Sequence, residues 1–176
     1  MHGNAHFGPG LLTKGSRRFP AVFPSRTAMS SNEDILKAAE NGDVARLSTL
    51  IANKADVDVR DEEACTPLYL AAQNGHNDAV QLLVDAKASL DIVNEYGYPL
   101  LYVAAKNGHR GVVQILVNAK AKVSVMDSYG KTPLHAAAKE GHSGVVQVLL
   151  DAKANADVLD DRGLTPLHLA AYKDNH

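Results

Sequence analysis

Shifted against itself by 33 residues, the chain aligns without a gap over most of its length. TPLYLAAQNGH begins at Thr66, PLLYVAAKNGH at Pro99, TPLHAAAKEGH at Thr132 and TPLHLAAYKDN at Thr165; a weaker copy, EDILKAAENGD, begins at Glu33. The segments that follow match as well: NDAVQLLVDAKA, RGVVQILVNAKA and SGVVQVLLDAKA. A fixed period of roughly 20–50 residues is the signature of a stack of small structural units. It also decides how the two histidines, lysine and glutamate of Thr132–His142 should be read. A catalytic site is not printed several times at equal spacing, so these recurring side chains are expected to be structural.

Local physics turns each copy into two helices. Thr66, Thr132 and Thr165 stand where an N-cap belongs, and the proline after each suits a first helical turn. The pairs Ala71/Ala72, Ala104/Ala105, Ala137/Ala138 and Ala170/Ala171 keep this helix narrow, and Gly75, Gly108 and Gly141 stop it. A second helix is expected from about Asn77 to Ala86, with counterparts at 110–119 and 143–152. There Val80, Leu82, Leu83, Val112, Val113, Leu116, Val145, Val146 and Leu149 recur at helical spacing. Between helix pairs, NEYG, DSYG and DDRG begin at Asn94, Asp127 and Asp160, the spacing of a type I turn. One such hairpin cannot bury its apolar face alone, but a row of them shares a continuous core.

The T-P-L-H box, the Ala-Ala pair, the Gly-His step, the V-V-x-x-L-L run and the D-x-x-G turn occur in that order over residues 32–176. In this the chain resembles the ankyrin repeat family. The resemblance implies an all-α repeat fold, an ankyrin solenoid of helix-turn-helix units. β-Hairpin-like fingers would project from it beside a concave face. It implies binding of another protein rather than catalysis. It also implies that His135 with Thr132, and His168 with Thr165, help pin one unit to the next. The expected organisation is a repeat domain over 31–176, with units at about 31–60, 61–93, 94–126 and 127–159 and a partial one at 160–176.

Departures from the pattern carry their own expectations. Ala64 replaces the turn glycine of the second unit, so that finger is expected to be distorted. Pro99-Leu100-Leu101-Tyr102 stands in place of T-P-L-H and lacks the cap. Lys54, Lys87, Lys120 and Lys153 occupy the place of a helix-ending glycine. Val148 and Leu149 are expected to lack a full neighbour, because the copy after them stops at Asp174-Asn175-His176. That suggests a fragment of a longer array, or the recruiting portion of a larger enzyme or effector.

Composition narrows the function classes. The chain carries 18 basic and 20 acidic side chains, but Lys14, Arg17, Arg18 and Arg26 all fall within residues 1–31, which hold no acid. The rest is therefore net acidic, which disfavours nucleic acid as the main partner. Residues 1–30 are expected to be disordered or to serve in targeting; Arg and Ser without acid also fit an organelle transit peptide over 1–28. Alternatively translation starts at Met29, directly before a capping box, Ser30-x-x-Glu33, that would open the first helix. One cysteine, Cys65, permits no intrachain disulfide and suits a reducing compartment. No apolar run reaches the ~18 residues needed to span a bilayer. A cytoplasmic or nuclear monomer without cofactor or metal is the expectation. No nucleophile elbow, P-loop, HExxH or dinucleotide fingerprint is present.

Function should sit where the copies differ, since the shared positions hold the stack. The partner-binding residues expected on the finger tips and first-helix faces are Glu95, Tyr96, Tyr98, Lys106 and Asn107; Ser128, Tyr129, Lys131, Lys139 and Glu140; and Asp161, Arg162 and Tyr172. Glu62, Glu63, Cys65, Gln73, Asn74, Leu164 and Lys173 are further candidates expected to be exposed. Tyrosine and arginine are favoured hot-spot types.

Overall fold

A computed structural model describes residues 26–174 of the chain. Among them it contains α1 (Arg26–Glu40), α2 (Val44–Ala52), α3 (Pro67–Gln73), α4 (Asn77–Asp85), α5 (Leu100–Lys106), α6 (Arg110–Asn118), α7 (Pro133–Glu140), α8 (Ser143–Asp151) and α9 (Pro166–Asp174). Odd-numbered helices pack on one another in one row, even-numbered helices in a second, and each pair joins the two rows. No strand forms among the described residues, and a single antiparallel bridge, Val93 to Pro99, marks the base of one finger. This is an all-α solenoid of stacked helix pairs. None of its described helices is long and apolar enough to cross a membrane.

The caps sit where the local rules place them. The hydroxyl oxygens of Thr66, Thr132 and Thr165 accept from the amides of Tyr69, His135 and His168, and prolines follow at the first helical position. Pro99 caps α5 with no side-chain hydrogen bond. Gly75, Gly108 and Gly141 have φ of 79°, 76° and 75°. At Gly75 and Gly108 a Cβ would lie 2.6–2.7 Å from the imidazole of His109 or His142 in the next unit. Glycine is thus needed twice over, for the left-handed backbone and for the neighbour's ring.

The lysines that replace glycine after the even helices adopt the same left-handed backbone, with φ from 61° at Lys54 to 71° at Lys120. Each is followed by an alanine whose amide returns to the helix, as Ala88 does to Leu83 O (3.0 Å). This double closure ends the helix and overrides the ~1–2 kcal/mol cost of a side chain in that conformation.

The core runs continuously through the stack. Ala38/Ala39, Ala71/Ala72 and Ala104/Ala105 are buried between odd helices, and Leu47, Val80, Leu83, Val113, Leu116 and Leu149 are fully buried under the even ones. Leu82 and Val146 are half-buried.

Four expectations are revised. Val148 and Leu149 are buried although no described helix follows α8 in the even-numbered row, and α8 packs on α6 and α7. Leu150, Leu159 and Leu167 are the exposed apolar side chains at that end, and Leu150 and Leu167 help to line a groove of about 670 Å³. The helix opening the stack begins at Arg26, ahead of the capping box expected at Ser30. The finger with Ala64 is not distorted. Ala64 takes φ 61°, and its amide bonds Asp61 O (3.2 Å) as Gly97 and Gly130 do in their fingers. Residues 26–30 are helical rather than disordered; the rest of the expectation of disorder, targeting or transit function concerns residues 1–25, which lie outside the described residues.

Two substitutions test this account. Ala64→Gly should relieve a left-handed side chain and raise stability by about 0.5–1 kcal/mol, read as a higher urea midpoint with an unchanged slope. Gly108→Ala should lower it by about 2–3 kcal/mol in the same experiment, since strain and the His142 ring both oppose the added methyl.

Candidate functional site

Four finger turns present the copy-specific residues, and one device builds all four. The Oδ1 atom of the first turn residue accepts two amides, from the second and fourth residues after it. Asp61 holds Glu63 and Cys65 (3.1 and 2.8 Å), and Asn94 holds Tyr96 and Tyr98 (3.1 and 2.9 Å). Asp127 holds Tyr129 and Lys131 (both 2.9 Å), and Asp160 holds Arg162 and Leu164 (2.9 and 3.0 Å). Adjacent fingers touch through backbone: Glu95 N donates to Glu63 O (2.9 Å) and Asp161 N to Tyr129 O (3.1 Å). Burial pushes the Asp160 carboxyl up, but its two amide donors and the charges of Arg162 and Lys131 outweigh this and hold it below its ordinary value.

The histidines lie between units. His76, His109 and His142 direct Nε2 at the carbonyls of Glu40, Gln73 and Lys106, each at 2.9 Å. His135 accepts the Thr132 amide at Nδ1 (3.1 Å), so Nε2 carries the hydrogen and donates to Leu164 O (3.0 Å) in the next unit. His168 repeats the threonine contact with Thr165. Among the described residues no three His, Cys, Asp or Glu side chains are grouped as metal ligands.

The copy-specific residues separate into two grooves. The first, of about 750 Å³, runs along α1, α3 and α5 beneath two fingers. Tyr96, Tyr98, Lys106 and Asn107 line it with Glu63 and Gln73, and Glu95 borders it. The second, of about 1150 Å³, holds Tyr129, Lys131, Lys139, Glu140, Asp161, Arg162 and Tyr172. Ser128 is exposed and lies against Gly97 of the neighbouring finger.

Exposure distinguishes the tyrosines. Tyr96, Tyr129 and Tyr172 are 61%, 59% and 70% exposed. The Tyr96 hydroxyl bonds the Glu95 carboxylate, which pushes the phenol pKa up. Tyr98 is half-buried and stacked on Tyr102, with ring centroids 5.5 Å apart and planes 13° apart. Lys106 Nζ lies over the Tyr98 ring at 5.3 Å, and Lys131 Nζ over Tyr129 at 5.7 Å. Asn107 is engaged in the scaffold, donating to Gln73 O (2.9 Å).

Cys65 is buried rather than exposed, and burial, with Asp61, Glu63 and Glu95 nearby, pushes its thiol up to about 12. A thiol so far from its thiolate is a packing residue. Leu164 is half-buried. The side chain of Lys173 lies outside the described residues. Sequence reasoning passed over Tyr69 and Tyr102, which stand where the T-P-L-H histidine stands in other copies. Burial raises both phenol pKa values above the ordinary range. The Tyr102 hydroxyl meets the Asp127 carboxylate, whereas that of Tyr69 has no hydrogen-bond partner. Their place in the repeat was the available signal.

No curated protein matches the chain. A family model described as "Ankyrin repeats (3 copies)" matches residues 35–127 and 119–176. The chain therefore belongs to the ankyrin repeat family, whose repeats generally serve as protein–protein interaction modules.

Proposed function

We propose that this chain is a non-enzymatic binding module that grips a partner protein with its finger tips and the exposed face of its odd-numbered helices. The observation that carries the reading is a division of labour. Shared side chains of the odd helices and of the Gly-His steps point inward or between units, as the alanine pairs and His76, His109 and His142 do. The shared and exposed glutamines Gln81, Gln114 and Gln147 line neither groove of copy-specific residues. Side chains that differ between copies wall two adjoining grooves. A surface of rigid tyrosines with interspersed charge suits recognition, because Tyr supplies large contact area at low entropic cost. Turns locked by paired amide bonds hold those tyrosines in place before a partner arrives, which limits the ordering cost of binding. The proposed contacts are Glu95, Tyr96, Tyr98, Lys106 and Asn107 in the first groove, Ser128 between fingers, and Tyr129, Lys131, Lys139, Glu140, Asp161, Arg162 and Tyr172 in the second.

Tyr96→Ala and Tyr129→Ala separate binding from folding. Both residues are exposed, so each change should cost less than about 0.5 kcal/mol and leave Tm nearly unchanged. Quantitative affinity capture with the full chain should lose its specific partner, as removal of a hot spot worth about 2 kcal/mol weakens binding some thirty-fold. A large fall in Tm with capture intact would make these tyrosines scaffold instead.

A further inference from the structure

We propose that the first groove takes a basic, extended segment of the partner protein, seating an arginine side chain on the face of Tyr98 and against the carboxylates of Glu63 and Glu95. This rests on the interaction-module reading and adds the chemical class of the partner and the half of the surface that receives it. Charge selects the class. Glu33, Glu40, Asp61 and Glu63 line the groove against two cations, Lys37 and Lys106, and Glu62 and Glu95 stand at its edge. The second groove is balanced, with Lys131, Lys139 and Arg162 beside Glu140, Asp160 and Asp161. A cationic guest is therefore drawn to the first half of the surface.

Two further observations locate the guest. The Tyr98 ring is backed by Tyr102 on one side and attracts a cation already, the ammonium of Lys106 at 5.3 Å. Lys106 is an exposed, flexible, strongly hydrated cation. A guanidinium stacks on an aromatic face and loses its water more readily, so an incoming arginine can take that place. Beneath it, Tyr69 lines the groove and is 1% exposed, and its hydroxyl, beside Cys65 and Tyr98, has no hydrogen-bond partner. A buried polar group without a partner is costly. Guanidinium offers five N–H donors and no acceptor. It can donate to the Tyr69 oxygen and the Glu63 and Glu95 carboxylates together once the Lys106 side chain swings aside. Neither a neutral nor an acidic guest supplies that set of donors.

The test uses the full chain and a fluorescein-labelled peptide of four Arg-Ser-Gly triplets. Matched peptides carry citrulline or glutamate in place of each arginine. Anisotropy at low salt, about 25 mM, keeps electrostatic attraction visible. The arginine peptide should bind at least about ten-fold tighter than the citrulline peptide. The double substitution Glu63→Gln with Glu95→Gln should weaken it about five-fold or more, and Lys106→Gln should tighten it about three-fold. Asp85→Asn with Asp151→Asn, the same double charge change on α4 and α8 away from both grooves, should leave it within about two-fold. Circular dichroism checks that each variant is folded. Equal affinity for arginine and citrulline peptides, no binding of either, or weaker binding in Lys106→Gln would each overturn the proposal. Preference for the glutamate peptide would overturn the basic class while leaving the interaction-module reading standing; that reading falls if the full chain captures no specific partner protein. Lys14, Arg17 and Arg18 replaced by Gln in the full chain should leave peptide affinity unchanged. A gain above about ten-fold would assign the groove to the chain's own N-terminal segment and sink the assignment to a partner.

Discussion

Beyond the 15-residue α1, the described helices run seven to nine residues, too short to hide their own apolar side. Every other feature of the fold answers that constraint. Leu68, Val80 and Leu83 become interior only because the next pair covers them, and that pair depends in turn on its own neighbour. Close approach requires small side chains between odd helices, hence the alanine pairs. It also requires a helix end that a neighbouring ring can sit upon, hence glycine at 75 and 108 beneath His109 and His142. The imidazole then hydrogen-bonds the preceding unit's carbonyl, so a polar backbone group at the helix end is satisfied across the interface rather than by water.

Once the stack is fixed, the recognition surface follows with little further freedom. The finger carboxylates and Asn94 dictate the turn, and each turn aims its middle residues away from the core. Tyr96 and Tyr129 are exposed because they are the second residues after Asn94 and Asp127, whatever their chemistry. Chemistry at such positions is therefore free to change from copy to copy without disturbing the helices. That freedom separates specificity from stability in this architecture.

Features governed by local rules were legible in the sequence. Thr66 and Thr132 as caps, Gly75 and Gly108 as stops, and the four left-handed lysines follow from neighbours only a few residues away. Features that depend on which way a side chain leaves the stack were less so. Val148 and Leu149 look stranded in the sequence, but helical phase turns them inward and leaves Leu150 outside. Cys65 reads as an exposed turn residue, yet the turn tucks it beneath its own finger. Ala64 looks disruptive, but three hydrogen bonds accepted by Asp61 within that turn outweigh one unfavourable φ. The division of the variable residues into two grooves was hidden, because each wall draws on units 33 residues apart. The different fates of Tyr69 and Tyr102 were equally hidden. They hang on whether the next finger places a carboxylate, Asp127, near the hydroxyl; the corresponding place beside Tyr69 holds Asn94.

The imidazole bonds reach only the adjacent unit, and so do the finger contacts. Among the described residues, neither α1 nor α2 packs on α8 or α9. Unfolding can therefore start at an outer pair and proceed inward one interface at a time, like a zip rather than a snapped rod. Amide protection should fall outward from the middle pairs, and an occupant bridging several fingers would act as a splint against that fraying.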